Sequence, residues 1–439
     1  MKLRMLPAIA AAFVASGSAI AWAADAAVED LRSQINALQS KVASLEAKSV
    51  TAADVDAKVQ KVLEDAERRS QLGGGTMLAG YQNGKFIIQS ADGNYLINPN
   101  IQFQLRYIAN SVSDDGSGDD EIDTGFELRR LKLGFAGNAI TPDLTYNFVW
   151  ATDRKSGNFK LEDAWVRYQI SKPWAVFGGQ FKDFAFHEKS VSSKRQLAVE
   201  RSLMNELLAG GHTDYVQGIG VAWQNETLRA QLAFHDGAKS SNTNWEDYTT
   251  DAVSGKTSGS HFGGTGRVEW MAVGNSWKQY DDFSALKNKE DLLVFGAGAN
   301  LTQAGSADVF YHTVDVQWEP QAVRGLSLYA ALVGRSSDDG SLSTYDYGAL
   351  VQAGYLFTDK WEVFGRYDVT RYEEVAVGAE DTYHEITTGV NYYLAGHNAK
   401  FTMDLTYLPN GSPAKQDGLG FVGSDESQVI GRVQFQLLL

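Results

Sequence analysis

From Tyr95 to Leu439 apolar residues return at every second position, in segments about ten residues long that end in turns of Gly, Asp, Asn and Ser. Ile101, Phe103, Leu105 and Tyr107 alternate with Gln102, Gln104 and Arg106. Leu144, Tyr146, Phe148 and Trp150 alternate with Thr145 and Asn147, and Trp361, Val363, Gly365, Tyr367 and Val369 with Glu362, Arg366, Asp368 and Thr370. The same rhythm carries Phe401 to Tyr407 and Val433 to Leu439. A period of two puts one set on each face of a strand, and about sixteen such strands are present. A soluble sandwich alternates as well, so three further features decide. The segments have the length that a tilted strand needs to cross a bilayer. Tyr, Trp and Phe recur near segment ends, as in interfacial girdles. The last segment would be an exposed apolar edge unless it closed a ring. The expected fold is an all-β transmembrane antiparallel barrel of about sixteen strands, apolar outside and polar within. A barrel of that size leaves an aqueous channel. The composition agrees: only 44% of residues are hydrophobic, yet there are 43 Gly, 19 Tyr, 21 Phe and 10 Trp.

The N-terminal region follows other rules. Lys2 and Arg4, the Ala-rich run Leu6 to Ile20 and the small-x-small step Ala21-Trp22-Ala23 read as a signal peptide over 1–23. Val28, Leu31, Ile35, Leu38, Val42 and Leu45 then form an a/d seam, resumed weakly by Val55, Val59, Val62 and Ala66. One helix cannot bury such a seam, so residues 24–70 are expected to be a periplasmic coiled-coil segment that self-associates. Gly73-Gly74-Gly75 makes 71–80 a flexible linker, and 81–439 is the barrel. Short turns such as 139–142 and 171–173 should face the periplasm. The longer connections 236–260, 274–291 and 409–426 should face outward.

Several stretches resemble the phosphate-selective porin O/P family of Gram-negative outer membranes. Phe126-Glu127-Leu128-Arg129-Arg130-Leu131-Lys132-Leu133-Gly134-Phe135 is similar to its paired-arginine strand, Gly178-Gly179-Gln180-Phe181-Lys182-Asp183-Phe184 to its strand-to-loop signature, and Glu200-Arg201-Ser202 to a later step in the same loop. Gly84-Lys85-Phe86 with Asp92-Gly93-Asn94-Tyr95 resembles the family's N-terminal entry, and the likeness is clearest from Gly80 to about Trp223. One departure is the end, Phe435-Gln436-Leu437-Leu438-Leu439, which lacks the terminal aromatic of such barrels. The resemblance implies a homotrimer of sixteen-stranded channels in outer-membrane lipid, with a third outer loop folded into each lumen. Residues 182–213 fit that loop: they follow the fifth strand and are too long for a turn. Within them Arg195 to Leu208 carries a helix-compatible stretch.

That loop is rich in cations: Lys182, Lys189, Lys194, Arg195 and Arg201, with His187. A permeating anion sheds water in a constriction, and Lys or Arg can replace those contacts while opposing cations. On the paired-arginine strand alternation points Arg130 and Lys132 inward, so Arg129 must snorkel to an interface or be turned inward by a bulge. Arg106, Arg167, Arg229, Arg267, Arg366 and Arg432 also face the lumen, opposed by Asp163, Glu269, Asp315, Glu362, Asp368 and Asp404. The expected function is passive diffusion of small anions, phosphate or polyphosphate-like, past a Lys/Arg-bearing loop. The alternative is a general or sugar-permissive channel, which the net charge of -15 favours. That same acidity argues against nucleic-acid binding. The absence of cysteine excludes thiolate chemistry. No histidine pair has zinc-site spacing and no nucleophile elbow occurs, so no cofactor, metal or catalytic residue is expected and the chain is read as no enzyme. A coiled coil reaching peptidoglycan would add a structural role.

Overall fold

The computed structural model describes residues 77–439 except 83, 114–120, 154–155, 210–214, 239–248, 251–256, 259, 287, 289, 305–306 and 376–379, together with 29–30, 32–41, 43 and 60–61. The chain divides into two units, Met1–Thr76 and Met77–Leu439. In the first, the described residues are helical, with Ile35 and Leu38 exposed. The expected signal peptide, the Gly-rich linker up to 76 and most of the heptad seam lie outside the described residues.

In the second unit a hairpin, β1 (Met77–Gln82) and β2 (Lys85–Ser90), precedes the barrel. Seven strands follow: β3 (Leu96–Val112), β4 (Glu121–Ala139), β5 (Thr141–Thr152), β6 (Phe159–Gln169), β7 (Trp174–Lys182), β8 (Tyr215–Gln224) and β9 (Leu228–His235). A two-residue ladder, β10 (Thr249–Thr250) with β11 (Thr257–Ser258), lies in the next loop. Nine more complete the wall: β12 (Ser260–Val273), β13 (Leu292–Ala304), β14 (Ala307–Glu319), β15 (Leu326–Asp338), β16 (Ser343–Leu356), β17 (Trp361–Arg371), β18 (Thr382–Tyr393), β19 (Ala399–Leu408) and β20 (Gln428–Leu438). Every neighbour is antiparallel, β9 pairs with β12, and β20 pairs with β3 from Gln428↔Val112 to Leu438↔Gln102. The sixteen-stranded ring is therefore closed, and the apolar last segment is no edge.

Burial inverts that of a soluble protein. On β19 Phe401, Met403, Leu405 and Tyr407 are exposed while Lys400, Thr402, Asp404 and Thr406 are buried. Backbone groups are satisfied strand to strand, so only side chains decide which face meets lipid. Sixteen inward faces would leave a wide lumen, but among the described residues three connections fold into it. The loop after β7, 183–214, lays Phe186, Val191, Leu197, Met204 and Leu208 against Tyr329, Val333, Leu350 and Phe364 of the wall. Its backbone comes so close that a Cβ on Gly298 would stand 2.0 Å from the Ala185 carbonyl oxygen. The connection 409–427 adds Leu419 and Phe421, packed on Leu203, Leu408 and Ile430.

The third is 274–291, and here the structure corrects the expectation. Lying after the eighth barrel strand, it shares a rim with the short turns 140 and 170–173, not with the long loops. Strand parity leaves no other arrangement, since each antiparallel strand reverses the chain. Its length is explained by where it goes: Tyr280, Phe283 and Ser284 are buried in the lumen. Of the helix-compatible stretch Arg195 to Leu208 only the end is helical, closing in a wide turn over Asn205–Ala209, and a separate short turn, His187–Ser190, comes before it.

Candidate pore constriction

Two β-bulges set the charges of the lumen. Along β3 and β4, Gln104 pairs with Arg130 and Leu105 with Leu128, leaving Arg129 as the extra residue. Along β5 and β6, Val149 pairs with Asp163 and Trp150 with Leu161, leaving Glu162 extra. Each bulge lets two consecutive charged residues face inward on a strand that alternation alone would force to aim one at lipid.

Both arginines meet one carboxylate. Glu200, in the loop after β7, accepts from Arg129 Nε at 2.6 Å and Nη2 at 3.4 Å, and from Arg130 Nη1 at 3.0 Å and Nη2 at 2.7 Å. Arg106 Nη1 on β3 adds a third donor at 2.9 Å, while its Nε donates to Glu127 at 2.6 Å and its Nη2 to the Gly418 carbonyl at 2.9 Å. Burial raises the Glu200 carboxyl, but Arg129, Arg130 and Arg106 outweigh it and hold it well below the usual carboxylate range.

The loop is pinned by wall groups of both signs acting on its backbone. Val199 N–H donates to Asp404 at 2.9 Å, Leu203 N–H to Glu385 at 2.6 Å and Met204 N–H to Asp368 at 3.0 Å. In the other direction Arg366 donates to the carbonyls of Glu200 and Arg201 at 2.8 and 3.2 Å. Within the loop Glu188 accepts from the N–H and hydroxyl of Ser202. The segment 274–291 braces it: Tyr280 stacks on His187 at 3.9 Å, and Arg267 donates to the Ala185 carbonyl and to the Tyr280 hydroxyl.

Towards the short-turn rim lies a polar cavity of ≈ 1090 Å³. Lys85, Lys132, Lys182, Lys194, Arg195 and Lys278 line it, with Glu162, Asp163, Asp282 and Glu290. Lys132 donates to Glu162, which also accepts from the Tyr215 hydroxyl at 3.0 Å. Burial, with Lys132 and Arg195 nearby, lowers Lys194. The cations singled out in the sequence thus occupy three settings. Arg129 and Arg130 lie on Glu200, and Lys132, Lys182, Lys194 and Arg195 line the cavity. Lys189 and Arg201 are buried inside the loop, where Lys189 donates to the Ala209 carbonyl and Arg201 to the carbonyls of Glu188, Lys189 and Val191. Sequence reasoning did not single out Glu162 or the role of Glu200. The adjacency Glu162-Asp163 carried the signal for the first, because neither carboxylate can face lipid.

Residues 113–436, well over half of the chain, match the family model described as phosphate-selective porin O and P. The chain belongs to that family. It is an outer-membrane porin of the Gram-negative type. The match includes 126–135, 178–184 and 200–202 but begins after the 84–95 entry, and it extends far beyond Trp223. Solved structures of the same fold include an anion-selective porin from Comamonas acidovorans, at 14% identity and TM-score 0.56 over 78% of this porin and 100% of that chain. Salmonella typhi OmpF in complex with daunomycin is 13% identical, with TM-score 0.51 over 82% of this porin and 100% of that chain. In-vitro folded OmpT of Vibrio cholerae is 10% identical, with TM-score 0.51 over 78% and 98%. No curated protein sequence matches this porin.

Proposed function

We propose that this porin is a passive diffusion path for small anions, phosphate among them, and that the loop after β7 narrows it. The observation that carries the reading is the convergence of Arg106, Arg129 and Arg130 at that loop, three guanidiniums bonding the two carboxylates Glu127 and Glu200. An anion that sheds water beside such donors regains hydrogen bonds, and a cation does not. Lys132, Lys182, Lys194 and Arg195 around the cavity extend the same preference towards the exit. The name of the Comamonas protein, an anion-selective porin, supports the class.

A general or sugar-permissive channel is the second reading, favoured by Glu162, Asp163 and Asp282 among those cations and by Tyr81, Phe86 and Tyr215 on the cavity wall. We further propose a homotrimer in outer-membrane lipid, exported by the 1–23 signal peptide. The 24–70 coiled coil would then assist assembly and reach towards peptidoglycan, joined to the barrel through the part of the expected 71–80 linker that precedes β1. Single-channel recording in a planar bilayer under a KCl gradient separates the two channel readings. Chloride-selective reversal with block by added phosphate is the expected result. Unselective or cation-selective current that phosphate leaves unchanged overturns the anion path.

A further inference from the structure

The connection between β19 and β20 carries a run, Gly418-Leu419-Gly420-Phe421, in which glycines alternate with large apolar residues. Its backbone turns tightly on one oxygen: the Gln416 carbonyl accepts from the N–H groups of Leu419, Gly420 and Phe421 at 2.9, 2.9 and 3.2 Å. Close approach requires both glycines. A Cβ on Gly418 would stand 2.9 Å from Arg129 Nη2, and Gly420, at φ 82°, would bring one to 3.1 Å from the Ile108 side chain. The turn thereby aims four successive carbonyls at the inner wall. Arg106 Nη2 donates to those of Asp417 and Gly418 at 3.4 and 2.9 Å, Arg432 Nη1 to that of Leu419 at 3.0 Å, and Asn110 Nδ2 to that of Gly420 at 3.0 Å. Leu419 and Phe421 are buried in one apolar cluster with Leu203, Leu207 and Ile430.

These contacts put the turn in the same cross-section as the loop after β7, since Arg106 bonds Gly418 on the one and Glu200 on the other. Joining β19 to β20 does not need it. Ser412 and Ser424 already exchange both backbone hydrogen bonds, at 2.8 and 3.1 Å, and that is the kind of pair a two-residue hairpin turn closes. Residues 413–423 are therefore additional to the closure of the barrel, and the chain folds them inward. We infer that 413–423 form a fixed ledge that sets the size limit of the channel, filling lumen between the loop after β7 and the strands β3 and β20. The inference rests on the reading of the lumen as a diffusion path. It holds for either charge preference, because the ledge obstructs by volume: its wall contacts are made by backbone oxygens and two buried apolar side chains. What a pore excludes follows its diameter at the narrowest level, and here two separate connections define that level.

The test uses the full-length protein, with Pro413–Gly423 replaced by Asn-Gly, a two-residue turn that suits the Ser412–Ser424 pair. Water can take up the Arg106 and Arg432 donors that this frees. Neutral polyethylene glycols of graded size read the opening without regard to charge. The largest polymer that enters and depresses single-channel current should be larger for the shortened protein, and its conductance in plain KCl should rise severalfold. The chain has no cysteine, so Lys415→Cys, at an exposed position of the ledge, gives a single attachment point and decides the matter if the shortened protein does not assemble. A maleimide-linked polymer coupled there should cut the current to a fraction of that of the uncoupled variant. An unchanged polymer limit with unchanged conductance in the first experiment, or a current indifferent to the coupled polymer in the second, overturns the inference. A reversal potential without chloride preference would sink the anion path and leave both comparisons to decide the ledge.

Discussion

Arg129 and Glu162 each stand next to a second charge on a strand that faces lipid on its other side, and each is accommodated by one extra residue in the ladder. The alternative, a charged side chain aimed at hydrocarbon, costs a few kcal/mol at the bilayer midplane. Glu200 illustrates how the resulting cluster is held. Because its folded-state ionisation is depressed, its contribution to stability is fully present above the ordinary carboxylate value, about pH 4.3, and is lost progressively as pH falls from there to the lower folded value. The stability difference between the unaltered protein and Glu200→Gln is therefore expected to stay constant from pH 9 to about pH 5 and to close in stronger acid, as thermal unfolding across that range will report. A second residue-scale effect lies at the β4–β5 turn. Ile140 sits at φ 69°, the left-handed region that a β-branched residue adopts at a cost of about 1–2 kcal/mol. Its side chain is exposed, so nothing offsets that strain by packing. Ile140→Asn should raise stability by about 1 kcal/mol, measurable as a shift in the urea midpoint of the refolded barrel.

The loop after β7 is an element whose position is decided by its backbone rather than by its charges. Asp404, Glu385 and Asp368 on the wall accept from its N–H groups, and Arg366 donates to its carbonyls. Wall acids that alternation placed inward are thereby occupied with the loop rather than exposed to the solute. Arg366→Ala removes one partner of a buried set and strands Glu385, a loss of about 3–5 kcal/mol. A loosened loop should also raise single-channel conductance and its noise, and unchanged open-channel current would show that the pinning is dispensable. Arg201 belongs to the same element but works inside it, closing its turn through three carbonyls. Arg201→Ala should lower stability by about 3 kcal/mol while leaving the sign of the ion selectivity unchanged, which separates a residue that shapes the loop from one that faces the solute. The segment 274–291 departs from what its length alone predicts. Length suggested an outer loop, whereas parity and burial of Tyr280 and Phe283 make it an inward brace at the other rim.

At the scale of the molecule, a net charge of -15 coexists with a lumen that gathers arginines beside the loop after β7, because many acids lie elsewhere, the exposed Asp338, Asp339, Glu373, Glu374 and Glu380 among them. The proposed selectivity is a local field, and a local field is screened. The preference for chloride over potassium should weaken as the bath is raised from about 0.1 M to about 1 M KCl, where the screening length falls from about 10 Å to about 3 Å. Replacing Lys132, Lys182 and Lys194 together by Gln should lower the permeability ratio several-fold at the lower salt, measured as reversal potential. The sequence by itself determined the barrel, its strand count, which face of each strand meets lipid, and that a long cation-bearing loop follows the fifth barrel strand. Those are properties of local alternation, since a strand of period two beside hydrocarbon has one apolar face wherever it stands. The tertiary structure alone decided which carboxylate each cation meets. Arg106 and Glu200 are brought together across 94 residues by a loop folding back into the ring, and the bond that joins them exists only after the ring has closed. For the same reason Lys189 and Arg201, equivalent to Lys182 and Lys194 in the sequence, end inside the loop: which side of a folded loop faces the wall is set by the apolar residues packing there, not by the charges between them.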